Sequence, residues 1–483
     1  MITQDIFHPP QPISDQTLHF EKLIGSSLSL LLSQLVRKAE TPLLIIAPDS
    51  LTAARIADEL QFFCGDSDPI LPFPDWETLP YDHFSPHQDI ISERLTALNK
   101  IPRLKTGCVL ATAASLLQRL PPSDYTEANS FLLKKGDQLN LETLRQQLTR
   151  AGYQAVSQVR EHGEFAIRGS LLDLYPMGSK TPFRIDLFDD EVESIRLFSV
   201  DTQLSTEPVT SIHLLPAKEF PLTENSIDTF RQAWREAFSG DPLQSPLYQD
   251  ISEGIAAPGI EYYLPLFFSE TQNLLNYLPK NTLIISIGDT NAKLEEQWQE
   301  ILSRFEIGRH DRSRPLLAPT QAFFTPEWVE TQINPFTQVT LNSTKSDNAY
   351  DFGVKATPAV AELPALKQFI AENKGRVLFI VESLGRREVV LKHAQQVGIT
   401  LTPYTTWEQF ISAHASYGIL VAPLDEGFQL TSLPLTVITE SQLYGKRVMQ
   451  RRLRKKTAVT DPEAIIRDLT ELQIGDPVVH IDH

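Results

Sequence analysis

The chain has 483 residues, 41% hydrophobic and 22% charged, which is typical of a globular protein with several buried cores. Its net charge of −18 disfavours nucleic acid as a partner, although a local basic face could still bind it. Cys64 and Cys108 are too few for a disulfide framework or a zinc site and fit a reducing cytoplasm. We expect neither a signal peptide nor a membrane span, because apolar runs of the required length are missing.

The first part of the chain alternates apolar strands with helices. Residues 43–47 (LLIIA) and 108–112 form continuous apolar runs, and each is followed by residues at helical spacing. The same pattern returns at 283–287 (LIISI), after a predicted helix near 227–238. Continuous apolar strands that alternate with helices predict a parallel sheet covered on both faces.

Between these segments the apolar pattern changes from continuous runs to alternation at period two, which predicts half-buried strands. The predicted elements are a helix at 139–148, strands at 164–175, 183–188 and 192–198, a break at Pro176–Gly178 and a hairpin turn at Asp189–Asp190. The simplest account is one α/β domain that is split by an inserted α+β unit at about 131–215.

A further α/β unit is predicted after the polar stretch 342–350, with strands at 377–381, 419–422 and 435–439. The run 446–456 then has seven basic residues and no acid. We interpret this run as a solvated connector helix, with contact to nucleic acid or to an acidic partner as the alternative.

The end of the sequence predicts one more helix and one more strand. Asp461-Pro462-Glu463 has the residues of a helix start: an N-cap, a proline and an acid in the first turn. The last residues, 477–483, have the pattern of a strand without a partner in the chain. We therefore expect the chain to be a fragment of a longer protein.

No motif in the sequence carries catalytic chemistry. The segment 23–28 (LIGSSL) stands where a phosphate-binding loop would precede a helix, but it has one glycine and no lysine. Asp425–Glu426 is interpreted as the start of a loop and not as a magnesium site. His83 and His87 are separated by Pro86, which prevents a shared helical face, so capping or solvated roles are favoured over metal binding. We predict no catalytic, cofactor-binding or metal-ligating residues.

The candidate binding residues are Arg168, Arg184 and Phe188, which the alternation places on the outer face of the inserted sheet. Arginine beside an exposed phenylalanine is typical of a protein-binding hot spot. The alternative is an ordinary surface in which the arginines pair with Asp186 or Glu191. Residues 151–215 hold ten acids and five bases, so this unit suits a protein partner better than DNA.

Four long motifs resemble the bacterial transcription-repair coupling factors. They are DWETLPYDHFSPHQDIISERL (75–95), EHGEFAIRGSLLDLYPMG (161–178), GIEYY (259–263) and GDPVVHIDH (475–483). The resemblance covers essentially the whole chain in order and corresponds to the N-terminal part of those proteins. The last motif is similar to the start of the RNA-polymerase-interacting domain, and the RecA-like motor of the family would follow it.

The resemblance implies a module similar to the first domains of the excision-repair protein UvrB. The implied domains are a degenerate RecA-like α/β domain in two parts (1–130 and 216–350), an inserted UvrA-binding domain (131–215), a separate α/β domain with the basic connector (351–462), and a linker helix with the start of the RNA-polymerase-interacting domain (463–483).

The resemblance also implies a function, namely non-catalytic recruitment of UvrA in transcription-coupled nucleotide excision repair. Arg168, Arg184 and Phe188 match the family's UvrA-binding residues, and we expect Arg184→Glu to keep the fold but lose UvrA binding. In the family, RNA polymerase is a further partner. ATP and magnesium bind to the motor, which is absent from this chain and also makes most of the DNA contacts. A C-terminal domain of the same protein masks the UvrA-binding face. The location would be the cytoplasm, without membrane contact. The alternatives are an ATP-binding helicase-like enzyme, which an ATP titration tests, and a UvrB-like DNA-binding module, which a gel shift tests.

Overall fold

The structure is a computed structural model that describes residues 2–10, 18–65, 68–342, 349–360, 363–431 and 433–444. The predicted basic connector at 446–456, and the helix and strand predicted beyond it, lie outside the described residues.

The chain begins with alternating strands and helices, as the apolar runs predict. These elements are β1 (Ile2–Thr3), β2 (Leu18–Glu21), α1 (Ser27–Lys38), β3 (Leu43–Ala47), α2 (Ser50–Cys64), β4 (Ile70–Phe73), α3 (Gln88–Lys100), a 3₁₀ turn (Ile101–Arg103), β5 (Cys108–Thr112), α4 (Ala113–Leu117) and α5 (Ser123–Ala128). Every residue of β3 and β5 is buried, which explains why both strands are apolar throughout. The helix α2 begins after Asp49, whose carboxylate accepts a hydrogen bond from the backbone N–H of Thr52.

The inserted α+β unit follows, and most of its strands are antiparallel. Its elements are β6 (Phe131–Lys134), α6 (Leu141–Arg150), β7 (Gln154–Ala155), β8 (Glu164–Arg168), β9 (Leu171–Leu174), β10 (Phe183–Phe188), β11 (Glu191–Phe198), β12 (Ser205–Val209) and β13 (Ser211–Leu214). Strands β7 to β12 form one sheet in the order β12-β11-β10-β9-β8-β7. The entering strand β6 pairs with the leaving strand β13, so a two-stranded ribbon joins the unit to its host.

The chain then returns to the first domain. The returning elements are α7 (Glu224–Ala237), a 3₁₀ turn (Pro242–Gln244), α8 (Pro246–Ser252), a 3₁₀ helix (Ile260–Leu266), α9 (Leu274–Tyr277), β14 (Leu283–Ile287), α10 (Thr290–Gly308), α11 (Pro319–Ala322), α12 (Pro326–Ile333), β15 (Thr337–Leu341) and β16 (Tyr350–Asp351). Strands from both halves form a single parallel sheet in the order β1-β16-β2-β15-β14-β3-β5-β4. The first domain is therefore completed by residues on both sides of the insertion.

A separate α/β unit ends the described part of the chain. It comprises β17 (Val354–Ala356), α13 (Leu363–Glu372), β18 (Arg376–Val381), α14 (Leu384–Gln396), β19 (Thr402–Pro403), α15 (Trp407–Ser412), β20 (Tyr417–Val421), β21 (Phe428–Leu430), β22 (Leu435–Ile438) and α16 (Glu440–Tyr444). Its sheet has the order β17-β21-β22-β18-β20-β19, with antiparallel pairs only at β17-β21 and β21-β22. The predicted fold class, a split parallel α/β domain with an α+β insertion and a further α/β domain, is confirmed.

One detail of the sequence prediction is wrong. The stretch 164–175 is not one strand but a hairpin, in which β8 and β9 pair antiparallel around a turn at Gly169–Ser170. Gly169 has a φ of +64°, a left-handed conformation that glycine adopts without steric cost. At this turn the apolar positions shift from odd (Phe165, Ile167) to even (Leu172, Leu174), a change of phase that the sequence prediction did not use.

The two faces of the parallel sheet pack into different cores, and β3 contributes alternate residues to each of them. Leu44 and Ile46 belong to a cluster that continues into the inserted unit and includes Phe165 and Ile185. Leu43, Ile45 and Ala47 belong to a cluster that includes α1, α2 and residues of the third unit. The insertion and the third unit therefore pack on opposite faces of the same sheet.

Polar contacts with α3 fix the insertion on its host. The guanidinium of Arg94, on α3, is fully buried and donates to Glu219 just after β13, at 2.6 Å. The backbone N–H of Gly178 donates to Ser92 Oγ at 2.8 Å, and the His162 ring lies 2.8 Å from the Asp89 carboxylate. These contacts join one helix of the host to the loops before β8 and after β9 and to the segment after β13, and so fix the orientation of the inserted sheet.

Candidate protein-interaction site

The candidate site lies on the face of the inserted sheet that points away from α6. Directly paired residues of neighbouring strands share a face, and one such row runs Ala166, Asp173, Arg184, Arg196 across β8 to β11. Val159, Ala166 and Phe198 form a small buried cluster on this face. This outer face is therefore not entirely exposed to solvent, because these three residues form an apolar floor within it.

Arg184 is fixed in the centre of this face. Its Nε and Nη2 donate to the two oxygens of Asp173 at 2.7 and 3.0 Å, and its Nη1 donates to the carbonyl of Gln203 at 3.0 Å. The guanidinium carbon lies 5.0 Å from the centre of the Phe198 ring. The hydrogen bonds that Arg184 donates to Asp173 raise the pKa of Arg184 above its ordinary value. Only 19% of the Arg184 side chain is exposed, so most of its donors already have partners.

Arg168 ends β8 and shares the same carboxylate. Its Nη2 donates to Asp173 Oδ2, the oxygen that also accepts from Arg184 Nη2. In contrast to Arg184, 51% of its side chain is exposed. Of the two predicted arginines, Arg168 therefore has more donors to offer a partner.

Phe188 ends β10 at the tip of the β10–β11 hairpin. It is 70% exposed, whereas its neighbour Leu187 is buried. The turn that follows places Asp189 at a φ of +52°, and Glu191 pairs with Phe188 across the hairpin. An aromatic ring held on a rigid hairpin tip offers a large apolar area with little conformational entropy to lose on binding.

The alternative left open by the sequence named the wrong partner for the arginines. Both pair with Asp173, which is fully buried, and not with Asp186 or Glu191. The three predicted residues stay on one face, and among the described residues the side chains of Arg168 and Arg184 form their hydrogen bonds within the inserted unit. Sequence reasoning missed Asp173 and the floor residue Phe198, because the pairing of β9 with β10, and of β10 with β11, depends on register. It also missed Leu204, an exposed leucine next to the Gln203 carbonyl that accepts from Arg184.

The predicted degenerate phosphate loop precedes α1, and its geometry does not fit a nucleotide. The backbone N–H and the hydroxyl of Ser26 both point at the carbonyl oxygen of Glu426, at 2.9 and 2.8 Å. The buried carboxyl group of Glu59 lies 2.9 Å from Ser26 Oγ and 2.5 Å from Ser29 Oγ. Protein oxygens thus stand where phosphate oxygens would be needed at a helix N-terminus.

The other candidates from the sequence have structural roles. The side chain of His87 accepts from the backbone N–H of Asp89 at the start of α3, which confirms the capping role. Asp425 lies in a loop, as predicted, and its carbonyl accepts from Thr439 and Ser441. Among the described residues, no group of three or more His, Cys, Asp or Glu side chains could hold a metal ion. Within the same residues, none of the helices has the length and apolar character needed to cross a membrane.

Comparison with known sequences identifies two units of the chain. Residues 131–220 match the UvrB interaction domain, and residues 369–443 match the D3 domain of the Mfd proteins. The first match covers the unit that carries Arg168, Arg184 and Phe188. The chain is therefore of the class that combines a UvrB interaction domain with a parallel α/β host.

Curated relatives extend the match over almost the whole chain. The transcription-repair-coupling factor of Haemophilus influenzae is 41% identical over 479 residues, which are 96% of this chain and 41% of the relative. The factor of Escherichia coli is 38% identical over 474 residues, and that of Bacillus subtilis 28% over 486 residues. The chain spans about two fifths of the length of these relatives. The resemblance seen in the sequence is thus confirmed: the chain matches the N-terminal part of the transcription-repair-coupling factors.

Proposed function

We propose that this chain is the UvrA-recruiting module of a transcription-coupled nucleotide excision repair factor. The observation that carries the proposal is the exposure of Arg168 and Phe188 on one face of the unit that matches the UvrB interaction domain. In this proposal Arg168 pairs with a carboxylate of UvrA, and Phe188 fills an apolar pocket of UvrA.

The three site residues have different tasks in this proposal. Phe188 and Arg168 contact the partner, whereas Arg184, whose donors are largely occupied, holds the face in shape and offers an edge of positive charge. Because Asp173 lies beneath both arginines and is fully buried, the partner meets a face that is already ordered. A preorganised face loses less entropy on binding than a flexible one.

The experiment that tests the proposal is direct binding of purified UvrA to the whole 483-residue chain. We expect binding by the wild-type chain and its loss in the double variant Arg168→Ala/Phe188→Ala, with unchanged folding by circular dichroism. Binding of UvrA by the double variant with wild-type affinity would refute the assignment.

The chain acts without a nucleotide of its own in this proposal. The contacts of Ser26 and Glu59 at the start of α1 support this, and ATP and magnesium would be needed only by the motor of the longer protein. An ATP titration of the chain should give no binding isotherm, and a gel shift with duplex DNA at two salt concentrations should give no retarded band.

The longer protein would couple this module to RNA polymerase. The names of the relatives as transcription-repair-coupling factors support that role. We propose that the remaining part binds RNA polymerase and DNA, that its ATP-driven motor displaces stalled polymerase, and that its C-terminal domain covers the UvrA face at rest. UvrA should then bind this chain more tightly than it binds the full-length protein. Equal affinities would contradict the masking. The protein would act in the cytoplasm.

A further inference from the structure

The start of α1 is in direct contact with the third α/β unit. Gly25 has a φ of +55°, and a Cβ atom added to it would lie 2.7 Å from the carbonyl oxygen of Glu426 and 2.8 Å from that of Gly427. The next residue, Ser26, donates its backbone N–H to the same Glu426 oxygen at 2.9 Å. The loop at 424–427 therefore packs so closely against the main chain of 25–26 that only glycine fits at position 25.

The side chain of Glu59, on α2, also contacts the start of α1. Its carboxyl group is buried and is contacted by the hydroxyls of Ser26 and Ser29 and by the guanidinium of Arg55. Burial raises the pKa of Glu59 above its ordinary value. A phosphate group would have to displace the Glu426 carbonyl and also approach this carboxyl group, so the anion-binding property of the helix N-terminus is cancelled by groups of the chain itself.

The contact at α1 continues as a broad interface between the two units. The Trp407 ring, on α15, packs edge-on against Phe63 with 5.0 Å between the ring centres, and it also contacts Phe62. Arg37, near the end of α1, pairs with Glu408 of α15. The apolar cluster of α1 and α2 includes Phe428 and other residues of the third unit without a break.

We propose that the degenerate phosphate loop has become the docking site for the 424–427 loop, and that this contact, instead of a nucleotide, locks the third unit onto the first domain. The donors of the α1 N-terminus are used for a main-chain carbonyl of the same protein. The first domain and the third unit then move as one rigid body.

Hydrogen–deuterium exchange on the whole chain tests the proposal through Gly25→Ala. The added methyl group would collide with the Glu426 and Gly427 carbonyls, so we expect exchange at 24–30 and 424–430 to accelerate by about tenfold or more. The matched control is Gly288→Ala, in the same domain, where φ is +75° and the added Cβ meets nothing within 4 Å. The control should leave both peptides unchanged. Equal exchange in the two variants would overturn the proposal.

A second variant keeps the test valid where Gly25→Ala does not fold. Phe62→Ala removes a half-buried ring that contacts Trp407 but leaves the 25–26 loop intact. It should accelerate exchange at 406–411 and 424–430 while β18 and β20, the centre of the third sheet, keep their wild-type exchange rates. Unchanged exchange at 406–411 and 424–430 would overturn the proposed interface.

The same exchange measurement with added nucleotide shows whether the contact between the 424–427 loop and α1 is permanent or can be displaced by a nucleotide. Magnesium–ATP added to the wild-type chain at millimolar concentration should leave exchange at 24–30 and 424–430 unchanged. If magnesium–ATP accelerates exchange at 424–430, the nucleotide displaces the loop, and the proposal is wrong. None of these measurements involves UvrA, so their outcome does not depend on the proposed recruitment function.

Discussion

Asp173 and Arg184 lie directly opposite each other on β9 and β10, and the buried carboxylate accepts two hydrogen bonds from the guanidinium, at 2.7 and 3.0 Å. This bidentate pair, shared with Arg168, is the centre of the candidate UvrA-binding face. A charge-assisted bidentate contact of this kind fixes the geometry of both groups. The pair determines which substitutions can test binding and which would only test folding.

Phe188→Ala should weaken UvrA binding without loss of stability. Truncation of a hot-spot aromatic typically costs about 2 kcal/mol or more, which corresponds to roughly thirtyfold in affinity. Isothermal titration of UvrA would measure the affinity change, and thermal unfolding would measure stability. The matched control is Phe84→Ala, because Phe84 is also 70% exposed but lies outside the inserted unit. Equal losses in the two variants would show that exposure alone, and not this site, explains the effect.

Arg168→Ala should lower UvrA affinity by about tenfold or more, since a hydrogen bond to a charged group contributes about 1.5–3 kcal/mol. The melting temperature should change little, because Asp173 keeps its two bonds from Arg184. Arg145→Ala is the control: Arg145 lies on α6, on the opposite face of the sheet, and is 58% exposed against 51% for Arg168. The prediction fails if Arg145→Ala weakens binding as much as Arg168→Ala.

Arg184→Glu should destabilise the inserted unit, contrary to the expectation from sequence that the fold stays intact. The new carboxylate would face the buried Asp173, and breaking a buried ion pair costs about 3–5 kcal/mol. Asp173→Ala should have an effect of similar size, because it leaves Arg184 without its main partner. Thermal unfolding and proteolysis within 131–215 would measure both changes. Wild-type melting temperatures for the two variants would contradict this account of the pair.

The buried Glu261 should make stability depend on pH. Burial raises the pKa of Glu261 from 4.5 to about 7, and its carboxylate accepts from Ser85 Oγ at 2.8 Å, with Lys218 and Glu219 nearby. Between these two values the folded state holds a proton that the unfolded chain has released, so the free energy of unfolding falls as pH rises and levels off above about 7. The difference in pKa corresponds to roughly 3 kcal/mol.

Glu261→Gln tests this prediction because the amide cannot ionise. Denaturant midpoints of the variant should lack the decrease between about pH 4.5 and pH 7 that we expect for the wild-type chain. The control is Glu253→Gln, at an exposed glutamate nearby, which should keep the wild-type dependence on pH. A variant that follows the wild-type curve would rule out Glu261 as the titrating group.

Sequence reasoning succeeded for elements whose burial is complete. The strands at 43–47, 108–112 and 283–287 were predicted with the bounds that the structure has, because nearly every side chain in them is buried and the apolar run ends where the strand ends. It also placed Arg168, Arg184 and Phe188 on one face, since alternation fixes which side of a strand each residue occupies.

The features that the sequence did not predict depend on contacts between residues distant in sequence. The role of Asp173 follows from the register of β9 with β10, and an acid in an alternating strand gives no sign of which cation it will meet. The contact between Ser26 and Glu426 joins residues 400 positions apart, so no local pattern could predict it. The difference in exposure between Arg168 and Arg184 arises from the Gln203 turn, which again is a matter of tertiary packing.

The ribbon of β6 and β13 has a consequence for how the molecule was assembled. Phe131 is paired with Leu214, so the backbone leaves and re-enters the host at adjacent points. An inserted unit that is connected in this way can be replaced by a shorter or longer one without changing the strand order of the host sheet. Natural variation in the size of the inserted unit, and grafting of a different unit onto this scaffold, are both geometrically open at that junction.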